Sequence, residues 1–402
     1  MRSLPEQEQI PPAIGTAASG WWRAVDRIAG ALARGRLTVM LPGGAARTYA
    51  GPLEGPHALV HLRRWRGLWR TVTGGDTGFA EAYMAGEVDT PDLLALIDLF
   101  VKNEAALADR LSGSRIVRWL NRLRHLARAN TRAGSRRNIA FHYDLGNAFY
   151  RLWLDPTMTY SAAWFERADQ ALAEAQAAKY HRLARLADLR PGLDVLEIGC
   201  GWGGFARIAA EDYGCTVTGL TLSREQHAHV AAMAVPGVWP LLVDYRDADG
   251  QYDRIVSIEM FEAVGEANWP VYFRRLGELL KPGGVAALQV ITIDEARFEG
   301  YRRNPDFIQK YIFPGGMLPS PTALRRAVAE AGLKLVAEDF FADGYARTLA
   351  HWRAAFERAW PEIAGLGFDE RFRRMWRYYL CYCEAGFRNG AIDVGHFRIE
   401  KA

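Results

Sequence analysis

The residues most able to do chemistry begin with the run VLEIGCGWGGFA, Val195 to Ala206, which spells G-x-G-x-x-G through Gly199, Gly201 and Gly204. Such spacing marks a strand that ends, a helix that begins and a small anionic or nucleoside-like ligand lying across the turn, because residues without a Cβ let a ligand approach the backbone. A dinucleotide would also ask for an acid roughly 20 residues on, at the tip of the second strand. The corresponding stretch TGLTLSREQ has none there, and Glu225 comes a helical turn later. The acid sits instead at Glu197, two residues before the first glycine, giving E-x-G-x-G. No cysteine or histidine pattern has the spacing of a metal site: Cys381 and Cys383 lack partners, and His227 and His229 stand alone, so no metal is expected.

These residues need a scaffold, and the pattern around them supplies one. Short β-rich runs at 194–198, 215–219, 238–243, 252–258, 284–291, 333–340 and 396–401 alternate with helical stretches, the first of them about ten residues long. That alternation predicts a mostly parallel sheet flanked by helices, an α/β fold of seven strands completed by HFRIEK. The chain is expected to divide near residue 135, where RANTRAGSRRN breaks the hydrophobic pattern. Residues 1–135 read as a mainly helical domain, with Asp89 or Thr90 capping a helix ahead of Pro91, and 136–402 as the catalytic domain.

Composition limits the rest. Half of the 402 residues are hydrophobic, enough for a full core, and four cysteines without an N-terminal apolar run read as reduced thiols in a cytosolic protein. No run approaches ~18 uninterrupted apolar residues, so no spanning helix is expected. The net charge of +4 is concentrated: residues 115–137 carry eight arginines and no acid, with Ile116, Trp119, Leu120 and Leu123 on one helical stripe. A basic amphipathic helix of that kind suits an anionic membrane surface, and a solvated face on an ordinary helix is the alternative. Nucleic acid is not expected, since no recognition motif accompanies the charge.

The E-x-G-x-G arrangement resembles motif I of class I S-adenosylmethionine (SAM) methyltransferases, which favours SAM over a dinucleotide. Longer stretches are more specific: FHYDLGNAFYRLWLDPTMTYSAAWF (141–165), GLTLSREQ (219–226), SIEMFEAVG (257–265), DFIQKYIFPGGMLPS (306–320) and GYARTLAHW (344–352) occur in order. Together they resemble the cyclopropane-fatty-acyl-phospholipid synthase family over residues 136–402. The resemblance implies a Rossmann-like class I fold, SAM as cofactor, and methyl transfer to the cis double bond of an acyl chain in a membrane phospholipid. It implies a protein peripheral on the inner membrane face; a homodimer stays open.

The resemblance also assigns roles. Tyr160 and Ser161 would hold the methionine part of SAM, with Glu197, Gly199 and Gly201 beside it. Thr221, Leu222 and Gln226 would meet the ribose, and Tyr245 and Arg246 the adenine. A carbocation on the chain would be shielded by aromatic faces, drawn from Tyr143, Phe149, Tyr160, Trp164, Tyr311 and Phe313. The base is then expected to be bicarbonate, held by Glu262 and Tyr345. Three positions depart from the family's pattern: YSCA reads YSAA, placing Ala162 at the cysteine; HTI reads as part of QVITI, placing Gln289 at the histidine; and FEHVG reads FEAVG, with Ala263. Glu262, Tyr345, Gln289 and Tyr311 form the candidate catalytic set. An altered base pocket leaves two products open, a cyclopropane or a methyl-branched or methylene chain for a partner redox enzyme. Beyond these stand a methyltransferase for a soluble natural product and an inactive lipid-binding homologue.

Overall fold

The computed structural model describes residues 18–111 and 145–401. The basic segment 115–137 and Tyr143 lie outside the described residues. The chain divides into two compact units, Met1–Ser114 and Arg115–Ala402.

In the first unit, helices α1 (Ala18–Ala29), α2 (Trp65–Met84), α3 (Leu93–Lys102) and α4 (Glu104–Leu111) accompany a sheet that the mainly helical expectation did not contain. Its strands β1 (Arg34–Met40), β2 (Ala46–Ala50), β3 (Leu53–Leu62) and β4 (Val88–Asp89) run in the order β2-β1-β3-β4. Strand β1 alternates, with Leu37 and Val39 buried and Arg34 and Arg36 exposed, a period of two masked in the sequence by its arginines. Asp92, not Asp89 or Thr90, caps α3, its side chain accepting from the Ala95 N–H at 2.9 Å. The reason is position: Asp92 precedes the first helical residue, so its carboxylate reaches the free N–H of the first turn. Buried Asn103 ties helix to sheet, accepting from the Ala33 and Arg34 N–H groups at 2.8 and 2.9 Å and donating to Leu99 and Arg34 carbonyls.

The second unit holds seven strands: β5 (Asp194–Ile198), β6 (Thr216–Leu220), β7 (Val238–Leu241), β8 (Tyr252–Ile258), β9 (Leu280–Ile293), β10 (Lys334–Phe340) and β11 (Ile392–Glu400). Their order is β10-β11-β9-β8-β5-β6-β7. The pairs from β9 through β7 are parallel, while β11 inserts antiparallel between β9 and β10 instead of closing an edge. Central strands are apolar on both faces because helices cover both, as in β5, where Val195 to Ile198 are all buried. The helices are α5 (Gly146–Arg151), α6 (Leu172–Leu186), α7 (Gly204–Glu211), α8 (Arg224–Met233), α9 (Trp269–Leu279), α10 (Glu295–Arg303), α11 (Pro321–Glu330), α12 (Ala342–Arg358), α13 (Trp360–Gly365) and α14 (Glu370–Arg388). The chain leaves β5 toward β6 on one side and returns as β8 on the other, a topological switch whose carboxyl edge opens a crevice. Among the described residues, no helix is long and apolar enough to cross a membrane.

Candidate active site

A cavity occupies that crevice. Its floor is the glycine turn after β5, where Gly199 has φ +84° and a Cβ would stand 2.9 Å from the Met260 side chain. Gly204 opens α7 against Tyr180 of α6; a Cβ there would lie 2.7 Å from the phenolic oxygen. Both positions therefore exclude a side chain, the first by conformation and contact, the second by close helix packing. The wall includes Tyr160, Ser161, Glu197, Gly199 and Gly201 from the expected cofactor set. Thr221, Leu222, Gln226 and Tyr245 from the same set complete the far side. Thr221 Oγ1 donates to Gln226 Oε1 at 2.8 Å, and Ser223 caps α8, which carries Gln226. Arg246 is not on the wall: its guanidinium grips Asp244, Nε to Oδ1 at 2.8 Å and an Nη to Oδ2 at 2.6 Å.

The centre of the site is Glu259, which the sequence reading passed over. It is the first residue beyond β8, lines the cavity and takes a left-handed backbone with φ +50°. For a non-glycine residue that conformation is strained, and strain of this sort gathers at working sites. Its carboxylate accepts three hydrogen bonds. Tyr345 Oη donates to Oε2 at 2.6 Å, while Oε1 receives the Ala162 N–H at 2.7 Å and Gln289 Nε2 at 2.6 Å. The two donors on Oε1 and the Tyr345 hydroxyl on Oε2 together ask both oxygens to accept, so the three hydrogen bonds match the ionised form. Burial works in the other direction and raises the carboxyl above its ordinary range, leaving it ready to take a proton.

Charge around Glu259 is balanced from α6. Lys179 is fully buried, donates to Ser161 Oγ at 2.6 Å and sits 4.3 Å from the Tyr180 ring centroid. Burial pulls its ammonium down to about 7, against the attraction of Glu259, Asp155 and Glu197. Glu197 is driven well above the usual carboxylate range by burial, and its Oε2 has no hydrogen-bond partner. An orphaned acid oxygen in the cavity wall is what the ammonium of a SAM methionine would satisfy, so the residues present fit that group.

The other expected catalytic residues distribute differently. Tyr345 and Gln289 stand at the centre, as described. Glu262 does not meet Tyr345: it belongs to a short turn, Phe261–Ala263, and its Oε1 accepts the Ile291 N–H on β9. Its Oε2 is buried without a partner, and burial together with the nearby Glu259 charge pushes its carboxyl up to about 8. Two residues, Glu259 and Met260, turn the backbone from β8 into the 3-10 helix, and that reversal sends Glu262 toward β9 and Glu259 into the cavity. Tyr311 lies on the π-helical turn Ile308–Ile312, its ring 5.5 Å from Phe307, and is not part of the cavity wall. Among the expected aromatic shields, Tyr160 is on the wall, with Trp352, Tyr150 and Trp153 rings 5.2, 5.5 and 5.6 Å away. Phe149 is core, Phe313 packs toward Tyr379, and Trp164 lies under the Arg182 guanidinium at 3.8 Å.

Bicarbonate does not fit these residues. The donors assigned to it, Tyr345, Gln289 and the N–H at Ala162, all end on the Glu259 carboxylate. A second anion would meet Glu259 instead of donors, with Glu262 bound to β9. Tyr345 therefore pairs with Glu259 and not with Glu262, and the donors expected for the anion are already engaged by a resident carboxylate. The signal in the sequence was an acid directly following an apolar strand at the carboxyl edge of the sheet.

Comparison with known proteins agrees with this fold. The profile of the family described as mycolic acid cyclopropane synthetase matches residues 130–397. The tuberculostearic acid methyltransferase UfaA1 of Mycobacterium tuberculosis is 42% identical over 376 residues, 89% of this chain and 86% of that protein. The cyclopropane-fatty-acyl-phospholipid synthase of Escherichia coli is 43% identical over 63% of this chain and 65% of its own length. The crystal structure of the mycolic acid cyclopropane synthase CmaA1, complexed with S-adenosylhomocysteine (SAH) and CTAB, superposes with TM-score 0.62 at 35% identity, over 66% of this chain and 98% of that one.

Proposed function

The chain belongs to the mycolic acid cyclopropane synthetase family of SAM-dependent lipid methyltransferases, and from that premise we propose that it methylates the cis double bond of an unsaturated acyl chain in a membrane phospholipid. The observation that carries this reading is the Glu259 carboxylate, held by three donors in the wall of the cofactor cavity.

When bound, SAM supplies an electrophilic methyl group on a sulfonium. An alkene is a weak nucleophile, so the protein's task is alignment in a dry pocket. Tyr160, Ser161 and Glu197 hold the methionine end, with the glycine turn beneath; Thr221 and Gln226 take the ribose. One alkene carbon forms the new C–C bond as the C–S bond breaks and the thioether leaves. The adjacent chain carbon becomes cationic, and the Tyr160 face shields it without attacking. Glu259 then removes a proton. Loss from the added methyl closes a cyclopropane; loss from a neighbouring chain carbon leaves a methyl-branched alkene, and a 1,2-hydride shift that moves the cation to the methyl-bearing carbon before loss from the methyl leaves a methylene branch. Lys179 offsets the carboxylate before the proton arrives. The first unit and the basic segment 115–137 supply the surface for an anionic bilayer in this reading.

The open-chain product is the second reading. It is favoured by the likeness to the tuberculostearic acid methyltransferase, which spans both units, whereas the likeness to the Escherichia coli cyclopropane synthase covers 63% of the chain. Product analysis separates the two. Purified protein is incubated with SAM and vesicles of cis-monounsaturated phospholipid, and the acyl chains are analysed by mass spectrometry and NMR before and after mild hydrogenation. A gained CH₂ that resists hydrogenation and shows cyclopropyl protons gives the ring. A gained CH₂ on a chain that takes up hydrogen gives the branched product. No gain in mass overturns the proposal.

A further inference from the structure

Behind Glu259 a line of hydrogen bonds runs outward to a half-exposed arginine. Gln289 Oε1 is 2.8 Å from His396 Nε2, and His396 Nδ1 accepts from Arg182 Nε at 3.2 Å. Gln289 and His396 are register partners on β9 and β11, and Arg182 reaches them from α6. Arg182 is itself anchored by Asp339 on β10 and by the Trp164 ring.

We infer that Arg182 and His396 are positioning residues: they fix which end of the Gln289 amide faces Glu259. This rests on Glu259 as the base. An arginine has no acceptor, so its Nε–H can only donate, and His396 Nδ1 must offer a lone pair. In the neutral ring the proton then resides on Nε2 and is given to Gln289 Oε1. With its oxygen occupied, the amide presents both Nε2 hydrogens inward, one to Glu259 Oε1 at 2.6 Å and one to the Ala162 carbonyl at 3.3 Å. The reversed amide would set its oxygen against the carboxylate. Three neutral or permanently charged groups thus transmit a donor to the base without carrying charge to it.

The surroundings keep His396 neutral. Arg182 and Lys179 approach from α6, Asp339 on β10 is engaged by Arg182, β9 offers the uncharged Gln289, and the rings of Trp164 and Phe341 cover the imidazole. Burial and the two cations pull its titration down to about 3.

The test uses the full chain labelled with 15N-histidine, the His396 signal being assigned by its absence in His396→Asn. The expected spectrum has the proton on Nε2 and no titration between pH 5 and 8. Arg182→Met keeps the stem over Trp164 but removes the donor. It should mix the tautomers and move the acidic limb of the kcat profile upward by about one pH unit, since a carboxylate that loses a donor holds its proton more tightly. KM for SAM should change less than about threefold, and Arg182→Lys, which keeps a donor, should recover part of the shift. A proton on Nδ1, or a profile unmoved by Arg182→Met, overturns the relay. Turnover that survives Glu259→Gln with the His396 tautomer intact would remove the base reading instead.

Discussion

Tyr345 gives its hydroxyl proton to Glu259, 2.6 Å from Oε2, across 86 residues of sequence, and leaves Glu262 to the Ile291 N–H. The two acids differ in surroundings more than in chemistry. One carboxylate accepts three hydrogen bonds and lines the cavity; the other accepts one, from a backbone N–H, and keeps a bare oxygen.

Glu259→Gln keeps the volume and removes the base. Turnover should fall by about 10²–10⁴, the usual share of a positioned proton acceptor, while SAM affinity by calorimetry stays within a few-fold. Wild-type turnover should be indifferent to rigorous removal of dissolved carbon dioxide. A rate that collapses on degassing and returns with added bicarbonate would restore the external base.

Tyr345→Phe deletes one donor to a charged acceptor, a bond worth about 1.5–3 kcal/mol. Losing it favours the protonated acid, so the acidic limb of the kcat profile should shift upward by about one unit or more. The loss should be large at pH 6 and shrink toward pH 9. An equal loss at every pH would mean that the phenol acts elsewhere.

Glu262 sets a stability slope. Its carboxyl titrates at about 8 in the fold against an ordinary value of 4.5, so between those values the unfolded chain has released a proton that the folded chain still holds. Stability from this group is full below the lower value and falls by about 1.4 kcal/mol per pH unit as pH rises toward the upper one. Glu262→Gln should flatten that fall. Urea midpoints from pH 5 to 8 measure it, and parallel slopes for the two proteins would refute it.

Lys179→Met leaves Glu197 and Glu259 without their buried counter-charge. The cost should be about 3–5 kcal/mol, because an unpaired buried charge is worse than none. Adding Glu197→Gln should recover part of it, a coupling that a double-mutant cycle reads directly. Strict additivity would show that Lys179 supports the fold only through Ser161.

The sequence by itself determined what depends on near neighbours. The central strands of the α/β sheet are written in largely apolar runs that are buried on both faces, and the glycine turn in residues that admit no Cβ. Nine of the ten expected cofactor contacts fell on the cavity wall; seven of them lie at or just beyond the carboxyl ends of β5, β6 and β7, where local chain direction places them, while Tyr160 and Ser161 come from the loop before α6. Arg246 did not, because Asp244, two residues away, claims its guanidinium. The first unit's sheet was less legible, since β1 carries Arg34 and Arg36 on its exposed face. What only the tertiary structure decided is the partner of each buried polar group. Tyr345, Gln289, Ala162 and Lys179 come from four separate segments, and whether they converge on Glu259 or Glu262 depends on how one turn after β8 is packed against β9 and α12. A carboxylate in the interior is ionised or neutral according to the donors within about 3 Å, and that distance is set by the assembled fold.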